Sequence, residues 1–261
     1  MNSGAGLQEN LNSARELVTQ AAAAGAEVVL LPEYFYLMGE HDSDRLALAE
    51  DPHHGEVQCF LSALAVELGI WLQGDTVPMQ GPDTEHIYNS GLLYDPNGVC
   101  VSRYDKIHLF NLFDGVETYL EKETLAAGSQ VVSIITPFGV LRCAICYDLR
   151  FPELFREGQI DMISLPAAFT KATGAAHWEV LLRARAIENQ CWVIAAAQVG
   201  VHPNGKETYG HSMIIDPWGN VLSETLSSQP GYVLATLNKE AQDKIRIKLP
   251  VLQEAMLMAR E

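Results

Sequence analysis

Two short apolar runs, each cut off by proline, restrict this chain to few folds. Glu27–Leu31 (EVVLL) ends at Pro32, and Met162–Leu165 (MISL) ends at Pro166. Runs of this length and composition read as strands buried on both faces, the kind found in parallel or mixed sheets. Proline lacks the N–H that a ladder needs, so each strand is expected to stop there. VVLLPEY (Val28–Tyr34) and ISLPAAF (Ile163–Phe169) are one device used twice.

The flanking sequence supplies helices. Leu7, Leu11, Ala14, Leu17, Val18, Ala21 and Ala22 recur at helical spacing before Gly25. Val57, Phe60, Leu61, Leu64 and Leu68 do the same over Glu56–Leu68, as do Val180, Leu181, Ala184 and Ile187 over His177–Asn189. Further strands are expected at Ile70–Val77, Ile87–Tyr94, Val99–Tyr104, Val140–Ile145, Cys191–Val199 and Gly210–Ile215. Pro152 is placed to open a helix through Glu157. Asp95–Gly98, Thr136–Gly139 and Asp216–Gly219 carry the Pro and Gly of tight turns and read as hairpins. Helices and strands alternate in two similar halves. This predicts a single α/β domain over residues 1–261, with two mixed sheets face to face and helices outside.

At 48% hydrophobic, the 261 residues can bury a core and do not resemble a disordered chain. Asp and Glu number 33 against 17 Lys and Arg, a formal charge of -16, which argues against nucleic acid or an anionic membrane surface as partner. No apolar run approaches the ~20 residues of a membrane span, and MNSGAGLQENLN has no signal-peptide pattern. Five thinly spread cysteines argue against a disulfide framework and for the reducing cytoplasm.

In layered α/β folds reactive groups collect at strand ends. Glu33 follows the first proline, Lys106 follows a strand closing at Tyr104, and Cys146 follows the strand LRCAI. A thiolate attacks a carbonyl, a carboxylate shuttles its proton and an ammonium steadies the oxyanion, so this trio suits acyl transfer. Glu33 lies between apolar residues and Tyr34–Tyr36, a poorly solvated setting that raises a carboxylate's pKa. Lys106, beside Ile107, Leu109 and Phe110, needs a carboxylate partner if buried, and Glu117, Glu121 and Glu123 are the nearest downstream. Backbone N–H groups at a strand-to-helix turn favour the Cys146 thiolate. Against this, a cysteine ending a buried strand is also an ordinary inert core residue. Cys143 and Cys146 form a C-x-x-C, which also reads as zinc or redox chemistry. Zinc lacks a second ligand pair here, and Cys143 sits inside a strand, facing away from Cys146. Arg150 and Glu153 read as a structural ion pair, His177 and Trp178 as helix cap and packing.

LLPEY around Glu33, YDKIHLF around Lys106 and CAICYDLRFPELF around Cys146 together resemble the nitrilase superfamily of carbon–nitrogen hydrolases. The resemblance continues in order through LPAAF (Leu165–Phe169), Gly174–Gly200 and YGHSMIIDPWG (Tyr209–Gly219). It implies a four-layer α-β-β-α sandwich, a homodimer, and a Glu-Lys-Cys triad on Glu33, Lys106 and Cys146, with Glu121 as a second glutamate holding the lysine. It further implies hydrolysis of a non-peptide amide bond through a thioester, releasing ammonia and a carboxylate, with no metal or organic cofactor. Lys106 and the Tyr147 N–H would bind the oxyanion. Similarity is greatest to a small-amidase branch acting on α-keto acids with a distal amide. Deaminated glutathione or a similar ω-amide is therefore the expected small-molecule substrate, with Phe169 and Thr170 lining the pocket and Lys171 meeting its carboxylate. N-carbamoyl amides and nitriles are the alternatives within the superfamily; a thiol–disulfide oxidoreductase and a non-catalytic binding protein are those outside it. In one respect the chain departs from the pattern. Family members begin with a short strand, whereas Met1–Leu7 leads straight into a helix, so that strand is expected to be missing and a sheet edge beside the Glu33 strand left unpaired.

Overall fold

Apolar residues at helical spacing turn one face of helix α1 (Leu7–Ala23) inward, burying Leu11, Ala14, Val18 and Ala21. The structure is a computed structural model and describes residues 1–113, 118–225 and 229–254. Strand β1 (Val28–Leu30) follows α1, then α2 (Glu56–Leu68), stopped by Gly69 in the left-handed conformation at φ 65. Next come β2 (Trp71–Gln80), β3 (Ile87–Tyr94), β4 (Cys100–Asp105), β5 (Asn111–Phe113), β6 (Thr118–Leu120), β7 (Leu125–Ala126), β8 (Ser133–Thr136), β9 (Gly139–Cys143) and β10 (Met162–Ala167). The chain continues through α3 (Lys171–Asn189), β11 (Trp192–Ala197), β12 (Val199–Val201), β13 (Glu207–Tyr209), β14 (Met213–Ile215), β15 (Val221–Glu224) and α4 (Lys239–Lys248).

Two mixed sheets result. The first has the order β1-β2-β3-β4, with β7 joined to β3; β1 is parallel to β2 and the rest of that path is antiparallel. The second has the order β15-β14-β11-β10-β9-β8, with β9, β10 and β11 mutually parallel. Helices α1 and α2 cover the first sheet through Leu11, Val18, Leu61 and Leu64 against Leu72 and Met79. Helix α3 covers the second through Trp178, Leu182 and Ala186 against Val193 and Ile215. Leu93, Leu141, Met162 and Trp192 fill the space between the sheets. The layers are therefore helix, sheet, sheet, helix. Each of the three Pro-Gly turns joins a hairpin, β3 to β4, β8 to β9 and β14 to β15.

Several boundaries differ from those expected. Strand β9 stops at Cys143 rather than Ile145, and residues 146–150 coil into a 3-10 turn. Strand β10 runs through Pro166, which pairs with Ala196. The ladder to β9 has already ended at Ser164, so Pro166 stands at an edge where a missing N–H is tolerated. Helix α3 begins at Lys171 because Thr170 caps it, accepting from the Thr173 N–H at 3.3 Å, and His177 lies inside the helix instead of capping it. Pro152 opens only a short 3-10 turn, Pro152–Phe155. The expected strand Cys191–Val199 is split between β11 and β12.

Residues 1–6 form no strand but are tied down. The Met1 carbonyl accepts from the Val199 N–H at 2.9 Å, and the Ser3 N–H donates to Gln198 at 3.1 Å. Among the described residues no strand pairs with the outer edge of β1. That edge borders a cleft of about 320 Å³ whose wall includes residues 231–237. This larger opening contains neither Glu33, Lys106 nor Cys146.

The contact of α2 with β2 is close enough to require glycine. A Cβ at Gly74 would lie 2.2 Å from Cδ1 of Leu61, which is itself fully buried. Gly74→Ala is expected to destabilise by about 1–3 kcal/mol and Leu61→Ala by about 2–5 kcal/mol. The double variant should lose less than the sum, because truncating Leu61 makes room for the new methyl group. Urea unfolding of the four proteins measures this coupling; strict additivity would contradict it.

Candidate active site

Glu33 lies just beyond β1, where Pro32 ends the pairing. The next residue, Tyr34, has φ 56, a left-handed conformation uncommon for an aromatic residue. Hydrogen bonds to both sheets hold it. The Tyr34 N–H donates to Thr76 Oγ1 in β2 at 2.9 Å, and Gln198 Nε2, just past β11, donates to the Glu33 carbonyl at 3.0 Å. Lys106 directly follows β4, its N–H bonded to the Asn89 carbonyl at 3.0 Å. Its ammonium is fully buried, donating to Glu33 Oε1 at 2.9 Å and to Glu121 Oε1 and Oε2 at 2.9 and 2.8 Å. Glu121 begins the 3-10 turn after β6 and also accepts from the Phe110 N–H at 2.6 Å and Tyr34 Oη at 2.9 Å.

Cys146 begins its own 3-10 turn at φ 48. Buried Asp148 holds that turn. It accepts from the Ile145 N–H at 2.9 Å, Tyr104 Oη at 2.7 Å and the His108 N–H at 3.0 Å, and lies 2.7 Å from His108 Nδ1. Cys146 and Glu33 wall the same cavity, and the charge of Glu33 acts on the thiol. The structure thus gathers Glu33, Lys106, Glu121 and Cys146 around one site.

Burial dominates the electrostatics. It pushes the Glu33 carboxyl above the ordinary glutamate value, against the pull of Lys106 and with help from Glu121. It pulls Lys106 down, yet Glu121 and Glu33 together hold the ammonium well above the ordinary lysine value. Burial and then the charge of Glu33 push the Cys146 thiol well up, outweighing Lys106 and the Ala168 backbone hydrogen bond. Burial therefore works against the thiolate that turn N–H groups are expected to favour. Cys143 lies 2% exposed against Ser164 and Asp75, its thiol pushed up to about 12 by burial. It has no contact with the Glu33 group, because β9 ends and the chain turns between the two cysteines.

A cavity of about 70 Å³ reaches Cys146, Glu33 and Glu121 and is walled further by Tyr34, Phe110 and Thr170. Phe169 and Lys171, expected in the pocket, are not part of its wall. Phe169 packs on Trp178 with ring centres 4.9 Å apart. Lys171 is 64% exposed and pairs with Glu207 at 2.8 Å, since the first turn of α3 carries it outward. The Tyr147 ring packs on Phe110 and Phe151, and its N–H lies in the first turn of the 3-10 segment, where amides lack partners within the helix. Arg150 lies over the Tyr147 and Phe169 rings and 3.2 Å from His177 Nδ1 instead of pairing with Glu153. Glu123 is exposed, and Glu117 lies outside the described residues. Among the described residues, no three His, Cys, Asp or Glu side chains gather as a metal site would require. Sequence reasoning overlooked Tyr34, Asn89 and Asp148. Asn89 donates to Glu33 Oε1 at 3.3 Å; its polarity in the middle of IYNSGLLY was the available signal.

Residues 1–246 match the family model described as carbon-nitrogen hydrolase. A Synechocystis protein (strain PCC 6803 / GT-S) named deaminated glutathione amidase is 40% identical, covering 99% of this chain and 96% of its own. The crystal structure of the Caenorhabditis elegans NitFhit protein superposes with a TM-score of 0.90 at 38% identity, over 98% of this chain and 63% of that one. A glutamate-to-glutamine mutant of the amidase from Nesterenkonia sp. AN1, whose structure shows the result of Michael addition of acrylamide at the active-site cysteine, superposes with a TM-score of 0.77 at 25% identity, over 96% of each chain.

Lys106→Met would leave buried Glu33 and half-buried Glu121 with no cation between them, and is expected to cost about 3–5 kcal/mol. Glu33 already binds its proton more tightly than an ordinary glutamate. Its contribution is therefore present below the ordinary glutamate value and lost as pH rises through the raised one. Removing Lys106 raises that value further, so the variant should lie nearer wild type in stability at about pH 5 than at about pH 8. Thermal unfolding at both pH values checks the sign.

Proposed function

Because the chain belongs to the carbon–nitrogen hydrolase family, we propose that it hydrolyses the amide of deaminated glutathione or a similar α-keto acid ω-amide through a Cys146 thioester. One observation carries the reading: a fully buried ammonium, Lys106, joins two carboxylates, one of which shares a cavity wall with Cys146.

Glu33 takes the thiol proton as sulfur attacks the amide carbon. Its raised pKa suits a group that must both accept and return a proton. Lys106 and the Tyr147 N–H bind the oxyanion; a donor of this kind is worth ~3 kcal/mol. As the C–N bond breaks, Glu33 returns the proton to the departing nitrogen. Water then attacks the thioester, losing its proton to Glu33; the C–S bond breaks and the thiol is restored. Glu121 is a positioning residue that keeps Lys106 charged and aimed. The alkylated active-site cysteine of the Nesterenkonia amidase supports the nucleophile, and the name of the Synechocystis relative supports the substrate. The leaving group follows from the substrate. Deaminated glutathione would yield α-ketoglutarate and cysteinylglycine, whereas ammonia leaves only from primary amides. The reading includes a homodimer, checked by light scattering, and a cytoplasmic setting, supported by five free cysteines. Among the described residues no helix is long and apolar enough to cross a membrane, and the charge of -16 does not favour nucleic acid.

The test is turnover of deaminated glutathione, α-ketoglutaramate, an N-carbamoyl amino acid and a simple nitrile, followed by product chromatography. Preference for either of the last two would overturn the substrate assignment. Cys146→Ala should abolish turnover while Cys143→Ala retains most of it, because Cys146 walls the cavity with Glu33 and Cys143 does not. Comparable losses in two folded variants would refute the single nucleophile. Glu33→Gln should keep the fold and lower kcat roughly 10²–10⁴-fold; near-wild-type kcat would place the base elsewhere.

A further inference from the structure

The cavity that reaches Cys146 has another end, which the amidase mechanism does not use. Its wall there is Arg45, carried by the 3-10 turn Asp42–Leu48. The guanidinium is buried and stands 4.3 Å from the centre of the Tyr34 ring, whose hydroxyl is bonded to Glu121. Arg45 is thus one aromatic ring away from the reactive carboxylates. Its Nη2 donates to Asp42 Oδ1 at 3.1 Å, while its Nε is buried with no acceptor among the described residues. Lys206 Nζ lies 3.6 Å from the other oxygen of Asp42 and 4.2 Å from the centre of the Tyr119 ring. Thr170, Asn204 and Thr208 line the same cavity.

Among the described residues, these two cations share a single carboxylate, Asp42. That leaves net positive charge on this wall of the cavity, which favours an anion there. A planar carboxylate meets the fork of a guanidinium, and an ammonium nearby adds charge without demanding geometry. The need is concrete in a chain of net charge -16, whose general field repels anionic substrates. Lys171, the candidate suggested by sequence, is already paired with Glu207 at the surface.

We propose that Arg45 and Lys206 form the subsite that binds a carboxylate of the substrate and so fixes its amide against Cys146. This rests on the amidase reading and adds to it the residues that select acids over neutral amides. Deaminated glutathione carries a carboxylate on each side of the amide, and the chemistry of the subsite suits either.

The test uses two probes that cannot be turned over at this bond. α-Ketoglutarate carries the acyl-side acid; N-acetylglycine carries the amine-side acid. Each is assayed for slowing iodoacetamide alkylation of Cys146, read at that residue by mass spectrometry. One of the two is expected to protect wild type, and that one identifies the bound side. Arg45→Met should weaken the protecting affinity roughly 10–100-fold, with part recovered in Arg45→Lys. Lys206→Met should weaken it less, because its ammonium is partly in water; its half-exposed position makes it the variant least able to disturb the fold. No protection of wild type by either acid, or equal protection in wild type, Arg45→Met and Lys206→Met, would overturn the subsite. Turnover of deaminated glutathione by wild type is measured alongside. Protection without turnover would sink the substrate assignment and leave the subsite standing; turnover with KM unchanged in both variants would sink the subsite alone.

Discussion

A buried ammonium between one buried and one half-buried carboxylate is the interaction on which the rest of this structure depends. Taking one such charge out of water costs several kcal/mol, and the loss is recovered only with close, well-directed partners. Lys106 finds them at 2.8 to 2.9 Å. The three groups come from separate places: beyond β1, after β4, and the turn after β6. None is tolerable in the interior without the others. The pairing of β1 with β2, and of β2 through β3 with β4, is therefore also what makes the charges affordable.

The nucleophile candidate is held by a different device. Cys146 and Tyr34 both have positive φ, a conformation that costs on the order of 1–3 kcal/mol when a non-glycine residue adopts it. Asp148 offsets that cost on one side by accepting from Tyr104, Ile145 and His108, and Thr76 does so on the other by accepting from Tyr34. Both strained residues wall the same cavity, and the turn at Cys146 brings its sulfur to Glu33. The same turn leaves Cys143 between the sheets, next to Ser164 and Asp75. Tyr34 then links both ends of the cavity, through its hydroxyl to Glu121 and through its ring to Arg45.

Much of the fold was legible because local chemistry carries it. The helices at Leu7–Ala23 and Glu56–Leu68 announce themselves by one apolar face and a terminating glycine, and the three hairpins by Pro-Gly turns. Glu33, Lys106 and Cys146 follow strands in sequence, and although each has an ordinary reading alone, the three motifs around them stand out in combination. The misjudged boundaries are those set by neighbours. Pro166 is tolerated because β9 has already ended, and α3 starts early because the Thr170 side chain reaches the Thr173 amide.

By itself, then, the sequence determined the alternation of helices and strands, the two proline-ended strands, and which side chains stand at their ends, since these depend on spacing and composition along the chain. Only the tertiary structure decided that Lys106 meets Glu33 and Glu121 together, that burial pushes the Cys146 thiol up, and that Arg45, not Lys171, faces the cavity. Burial and charge pairing act through space, between residues far apart in the chain, and no local pattern encodes which of them will meet.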